Sequence, residues 1–293
     1  MRIVTLLARH GTDKYGDAVA AMDALFARQM PDADRELLIV DTALPESHVE
    51  ALGPGRALIG ASNSHWEFSA WDRGLRHLGK RLDGFDFVHL ATSAFGALYT
   101  RYLDRFDTGM LALLQGRAAA VGHLDYYNET VTICGRSLRS WLRCSFVFLP
   151  PVELKLLGSL VGVADPSAFF SGNPQQPFRA DAPLSKTYRD NIIGWLTGSG
   201  TGQSVQWHSR FELTAETLAL FEAKTLAILN EQMLSSRLRA QGCALVDAIW
   251  LATRPGQLRA GRLLGEIPSW RVQLTQRDVD PAPKTLLGAD DAN

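Results

Sequence analysis

The sequence has few cysteines, and none are paired by spacing. Cys134, Cys144 and Cys243 are odd in number and form no CxxC, which excludes a disulfide framework or a structural zinc site as the organising principle. Strong charge of either sign is also absent. A net charge of −1 creates no global field for nucleic acid or an acidic membrane, so an anionic ligand must be held by local groups. No apolar run approaches the ~20 residues of a spanning helix. Met1 to His10 is too short and too soon charged for a signal peptide. These absences lead to the expectation of a cytoplasmic protein with no transmembrane segment. Three nucleotide and hydrolase signatures are missing too. No GxGxxG follows the first apolar segment, there is no GxxxxGK[ST], and no G-x-S-x-G elbow occurs.

What is present is a chain long enough to bury a full core, with 46% hydrophobic and 21% charged residues, as in soluble globular proteins. Arg2 to Ala8 reads as a buried strand and Asp13 to Met30 as a helix. Glu36 to Val40 and Ala57 to Gly60 read as strands, Trp66 to Leu78 as a helix, and Phe85 to Leu90 as a further strand. This alternation predicts an α/β fold, a Rossmann-like mostly parallel sheet with helices on both faces. Thr108 to Leu114 reads as a helix, and Ala118 to His123 and Cys144 to Leu149 as strands. Pro151 suits the first turn of a helix running to about Leu160. Pro166 to Pro183 reads as a long loop, Ser185 to Leu196 as a helix, and Gly198 to Gly202 as a flexible break. Thr214 is the expected cap of a helix running through Arg239 to a glycine stop at Gly242. Residues 1–253 form the expected α/β domain. Residues 254–293 form a partly irregular extension, with fraying from Leu286.

Several residues are candidates for chemistry, each with a plainer reading beside the functional one. Asp41 ends an apolar strand, where it either contacts a nucleotide or makes a turn. Asn63 and Ser64 lead into an aromatic-rich helix, so backbone N–H groups there face an anion, or Ser64 and Glu67 form a capping box with Trp66 and Trp71 in the core. Thr92 and Ser93 form a hydroxyl-bearing strand tip after His89, which itself reads as a core histidine. Glu231 shares an apolar stripe with Ile228, Leu234 and Leu238. Partial burial there would raise its pKa toward that of a general base, and pairing with Arg237 or Arg239 is the plain alternative. Asp125, His208 and Arg237 are thinner candidates for an acceptor or diphosphate. Arg179, Lys186 and Arg189 flank the long loop as a possible clamp or as solvated charges.

Four segments together resemble glycosyltransferases of the A-type fold, close to family 2 and to a rhamnan-synthesis-like branch of bacterial polysaccharide enzymes. They are Leu38-Ile39-Val40-Asp41, Asn63 through Leu75, Phe87 through Phe95, and Asn230 through Gly242. The last is similar to a Glu-Asp-x-x-Leu-Ser-x-Arg-Leu-x-x-x-Gly motif, with Asn230-Glu231 in place of Glu-Asp. Ser140 to Phe148 is similar to a strand near the acceptor side. The resemblance covers about residues 1–250. It implies transfer of a sugar from a nucleotide-diphosphate donor to a glycan or lipid-linked acceptor, with inversion. By it Asp41 holds the base, Asn63, Glu67, Thr92 and Ser93 lie near the nucleotide, and Glu231 is the catalytic base. A Mn²⁺ or Mg²⁺ ion would accompany the diphosphate, but Ser93 stands where the family has an aspartate ligand. That departure sustains a second expectation: a catalytically degenerate relative that binds a nucleotide or glycan, or scaffolds an assembly. Pro151 to Val161 is apolar enough for peripheral contact with a membrane, or for the core.

Overall fold

A computed structural model describes residues 1–97, 100, 102–198, 210–253 and 267–278. Its centre is a mixed sheet whose first strands are near-continuous apolar runs. These are β1 (Arg2–Arg9), β2 (Asp34–Asp41), β4 (Arg56–Gly60) and β5 (Phe87–Thr92). They are joined by β3 (Val49–Gly53), β6 (Ala119–Gly122), β9 (Phe146–Leu149) and β10 (Ala244–Asp247). The order across the sheet is β10-β6-β9-β5-β1-β2-β4-β3, with β3 and β9 antiparallel to their neighbours and the rest parallel.

Strands buried on both faces need helices on both. Ile3 and Leu7, Leu37 and Ile39, and Phe146 and Phe148 face one apolar cluster. It is completed by α1 (Ala18–Gln29), α3 (Thr108–Ala112) and α7 (Ala248–Ala252). The alternate residues Val4, Leu6, Leu38, Val40, Val147 and Leu149 face another. It is completed by α2 (Glu67–Leu78), α4 (Pro151–Leu157) and the C-terminal half of α6 (Leu218–Ala240). A third cluster lies beside the sheet. It joins a hairpin of β7 (Leu124–Ile133) and β8 (Arg136–Leu142) to α5 (Lys186–Thr197) and to the N-terminal half of α6, through Phe221, Leu226 and Leu229. Thus α6 runs from the hairpin layer onto the sheet. Glu231 falls where it crosses, just before Met233 in one cluster and Leu234 in the other.

The sheet order contains a reversal. The chain moves outward from β1 to β2 and β4, then returns to place β5 on the other side of β1. In open α/β sheets such a switch opens a crevice beyond the strands' C-terminal ends, here next to Arg9 and Thr92.

The α/β alternation expected from the sequence is present, and several details differ. The third strand in order is β3, whose five residues are all exposed and carry no apolar pattern. The segment Ser140 to Phe148 is divided between β8 and β9. The hairpin β7–β8 turns through Cys134 and Gly135, both at positive φ. Thr214 does not cap α6. Its hydroxyl donates to Glu216, its N–H donates to Thr217 Oγ1, and the helix begins four residues later. From the expected extension, α8 (Trp270–Asp278) docks on the sheet. Buried Arg277 donates to Asp247 Oδ2 at 2.9 Å and to Leu124 O, and Gln273 Oε1 accepts from Asp247 N–H. The break at 199–202 and the terminus from 286 lie outside the described residues. Among the described residues, no helix is long and apolar enough to cross a membrane.

Candidate functional site

A cleft of about 470 Å³ opens at the switch point. The end of β1 contributes Arg9 and His10, and the loop after it adds Lys14 and Tyr15. The loop from β4 to α2 contributes Asn63, Trp66 and Glu67, and the tip of β5 brings Thr92 and Ser93. Asp125, Arg143 and Ser145 come from the hairpin and the approach to β9. Helices α5 and α6 close the far side with Trp195, Lys224, Ile228 and Glu231.

Glu231 is held on two sides. Trp141 Nε1 donates to its Oε1 at 2.9 Å, and the Cys144 N–H donates to its Oε2 at 2.9 Å. Burial pushes its pKa up to about 7. The Cys144 N–H works against that rise, and the charge of Glu67 adds to it. Glu67 behaves alike: burial raises it to about 7, against its own backbone N–H and the attraction of Lys224. Two carboxyl groups that titrate near neutrality therefore share one cleft with a lysine between charges of both signs.

The local chain explains why Glu67 is there. A capping box needs Ser64 at the helix start. Instead Trp66 is the residue preceding α2, and its backbone is left-handed with φ 51°. Ser64 Oγ lies 3.1 Å from His65 Nδ1 and 3.2 Å from Ser62 Oγ, so it makes no cap. Of the two tryptophans, Trp71 is fully buried and donates to Leu6 O, whereas Trp66 stands on the cleft wall. His89 is a core residue, stacked on Phe148 with Nδ1 3.2 Å from Thr5 Oγ1, and burial holds its pKa well below the usual range.

Asp41 lies behind the wall, only 2% exposed. Its Oδ1 accepts from the N–H groups of Gly11 and Ala43, and its Oδ2 accepts from Arg9 Nε at 2.6 Å. Burial alone would raise its pKa, but these donors bring it below the ordinary carboxylate value. The turn reading of Asp41 describes this geometry. Its link to the cleft is through Arg9, which it fixes at the end of β1.

Asn63, Glu67, Thr92, Ser93, Asp125 and Glu231 are thus brought together on one cleft, although they are spread over 169 positions of the chain. Arg237 is elsewhere: its Nη2 donates to Leu157 O. Arg179 pairs with Asp181, Lys186 with Asp190, and Arg189 donates to Arg179 O, all on the exposed surface. His208 lies outside the described residues. No break interrupts α6, so Glu231 sits inside a long helix.

Sequence reasoning missed Lys14, Tyr15, Arg143 and Lys224. One of these had a signal. Lys224, Ala227, Ile228 and Glu231 follow i, i+3, i+4, i+7 spacing and form the stripe of α6 that faces the cleft. Arg143 is bound to Asp125 at 2.9 Å, with both side chains largely buried.

The residues present do not suit a divalent cation. Mg²⁺ and Mn²⁺ favour several oxygen ligands that include carboxylates. Thr92 and Ser93 supply hydroxyls, Asp125 is engaged by Arg143 and the Tyr126 N–H, Glu231 by Trp141 Nε1 and the Cys144 N–H, burial raises Glu67 to about 7, and among the described residues no group of three His, Cys, Asp or Glu could hold a metal.

Searches against protein-family models, curated proteins and solved structures find no match.

Proposed function

We propose that this protein is a glycosyltransferase of A-type architecture. It would move a sugar from a nucleoside-diphosphate donor to a hydroxyl of a glycan or lipid-linked acceptor, with inversion. The observation that carries the reading is Glu231. It is a carboxylate held by two donors in the switch-point cleft, with a pKa raised to about 7. A general base works best when its pKa lies near the working pH.

In this reading Glu231 takes the acceptor hydroxyl proton as that oxygen forms its bond to the anomeric carbon. The bond from that carbon to the diphosphate oxygen breaks, and the nucleoside diphosphate leaves with its electron pair. One in-line displacement with one base inverts the centre and needs no covalent intermediate. Trp66, Tyr15 and Trp195 give the cleft aromatic surface for a base or a sugar ring. Asp125 is held by Arg143 on the same wall, toward the hairpin, where an acceptor would enter.

The test is release of nucleoside diphosphate from a panel of nucleotide-sugars by purified protein, beside Glu231→Gln. Equal rates for the two proteins reject the assignment. A second reading, a non-catalytic nucleotide- or glycan-binding relative, draws on the hydroxyl tip at Thr92-Ser93. It predicts binding of nucleoside diphosphate without turnover.

A further inference from the structure

Among the described residues no group of three His, Cys, Asp or Glu could hold a metal, yet a diphosphate needs positive charge opposite it. Two cleft arginines already have carboxylate partners: Arg9 is tied to Asp41 and Arg143 to Asp125. Two lysines line the same cleft, and Lys224 lies near enough to Glu67 for the two charges to act on each other. Lys14 Nζ lies 5.1 Å from the centroid of the Tyr15 ring, and Lys224 Nζ lies 5.8 Å from the centroid of the Trp66 ring. Both distances are those of a cation held over an aromatic face. Lysine and ring come from separate elements in the Trp66–Lys224 case, so the pairing is tertiary.

The backbone at both rings is unusual. Tyr15 has φ 62° and Trp66 has φ 51°, a conformation that bulky residues rarely adopt and that strains the backbone. Only one other non-glycine among the described residues shares it, Cys134, and the hairpin turn accounts for that one. Two such residues on one cleft, each carrying a lysine over its ring, mark the place where strain is retained. The lysines also feel each other. Burial lowers the Lys224 pKa, Lys14 lowers it further, and Glu67 opposes both. Two like charges close enough to repel are relieved by an anion between them.

We infer that Lys14 and Lys224, seated on Tyr15 and Trp66, form a diphosphate-binding site that supplies the positive charge a divalent cation would otherwise bring. The anion site stands on these contacts alone. Its assignment to the donor's diphosphate rests on the glycosyltransferase reading.

The experiment is calorimetric titration of inorganic pyrophosphate in EDTA into wild-type protein, Lys14→Met, Lys224→Met and Lys186→Met. Lys186 is an exposed control that does not line the cleft. Lys14 is exposed, so its variant keeps the fold, and circular dichroism checks the Lys224 variant. Each cleft substitution is expected to weaken binding roughly tenfold or more, the worth of one charge-assisted contact, with the control unchanged. Failure of wild-type protein to bind pyrophosphate in EDTA, or binding by both cleft variants as tight as that of wild type, overturns the inference. Titration and turnover separate the two claims. Lysine-dependent pyrophosphate binding without turnover of any nucleotide-sugar keeps the anion site and rejects glycosyl transfer. Turnover that needs Glu231 and added Mn²⁺, with the lysine variants unimpaired, does the reverse.

Discussion

Glu231→Gln should change how stability depends on pH before any substrate is added. A carboxyl whose folded-state pKa is raised from 4.5 to about 7 stays protonated in the fold while it ionises in the unfolded chain. Between those values the folded state binds more protons, so stability falls as pH rises, and it levels off above about 7. Each pKa step of one is worth about 1.4 kcal/mol. From pH 5 to pH 8 the wild-type protein therefore loses at most about 2.5 kcal/mol through Glu231, and less in proportion to its partial access to the cleft. Glutamine does not titrate, so this part of the slope disappears. A separate cost does not depend on pH. Trp141 Nε1–H and the Cys144 N–H both point at the carboxylate, and an amide presents an acceptor to only one of them. Its NH₂ meets the other donor, which costs about 1–3 kcal/mol. The variant should be less stable than wild type at pH 5, and the two should converge or cross by pH 8. Urea unfolding at four pH values from 5 to 8 measures this directly. Parallel profiles for the two proteins would refute the reasoning, because they would mean that Glu231 ionises in the fold as it does in water.

Further substitutions test the rest of the site. Glu67→Gln removes a charge that raises the Glu231 pKa, so the acid limb of the kcat/KM profile should move to lower pH, and an unmoved limb would deny their coupling. Asp41→Asn leaves Arg9 without its ion-pair partner in a largely buried place. It should cost about 2–4 kcal/mol, read as a lower urea midpoint. Gly60→Ala would set a Cβ 1.8 Å from Pro45 O, against backbone that cannot swing aside. A loss of about 3 kcal/mol, seen as a melting temperature lower by roughly 5 °C or more, is expected.

The parts of the fold legible from sequence were those whose signal is local. Ile3 through Ala8 and Leu37 through Val40 are buried on both faces, so each reads as an unbroken apolar run whatever packs on it. β3 gave no such signal because every residue in it is exposed. α6 reads as a helix with an apolar stripe through Ile228, Leu234 and Leu238, but the layers that stripe meets are not legible. It is packed by the hairpin layer at one end and the sheet at the other, so which of these residues joins which cluster is decided by tertiary packing. The site follows the same division. Asp41 was correctly placed at a strand end, but which atoms consume its carboxylate depends on the loop after β1, which the sequence does not specify. Glu67 is the sharpest case. Ser64 and Glu67 have the spacing of a capping box, and the pattern is a sound local rule. The box needs Ser64 to occupy the helix start with an extended backbone. The left-handed Trp66 takes that position, presents its own ring to the cleft, and leaves Glu67 to face Lys224 and Glu231. A backbone angle at one residue thus converts a structural glutamate into a cleft carboxylate, and no property of the residue types announces it.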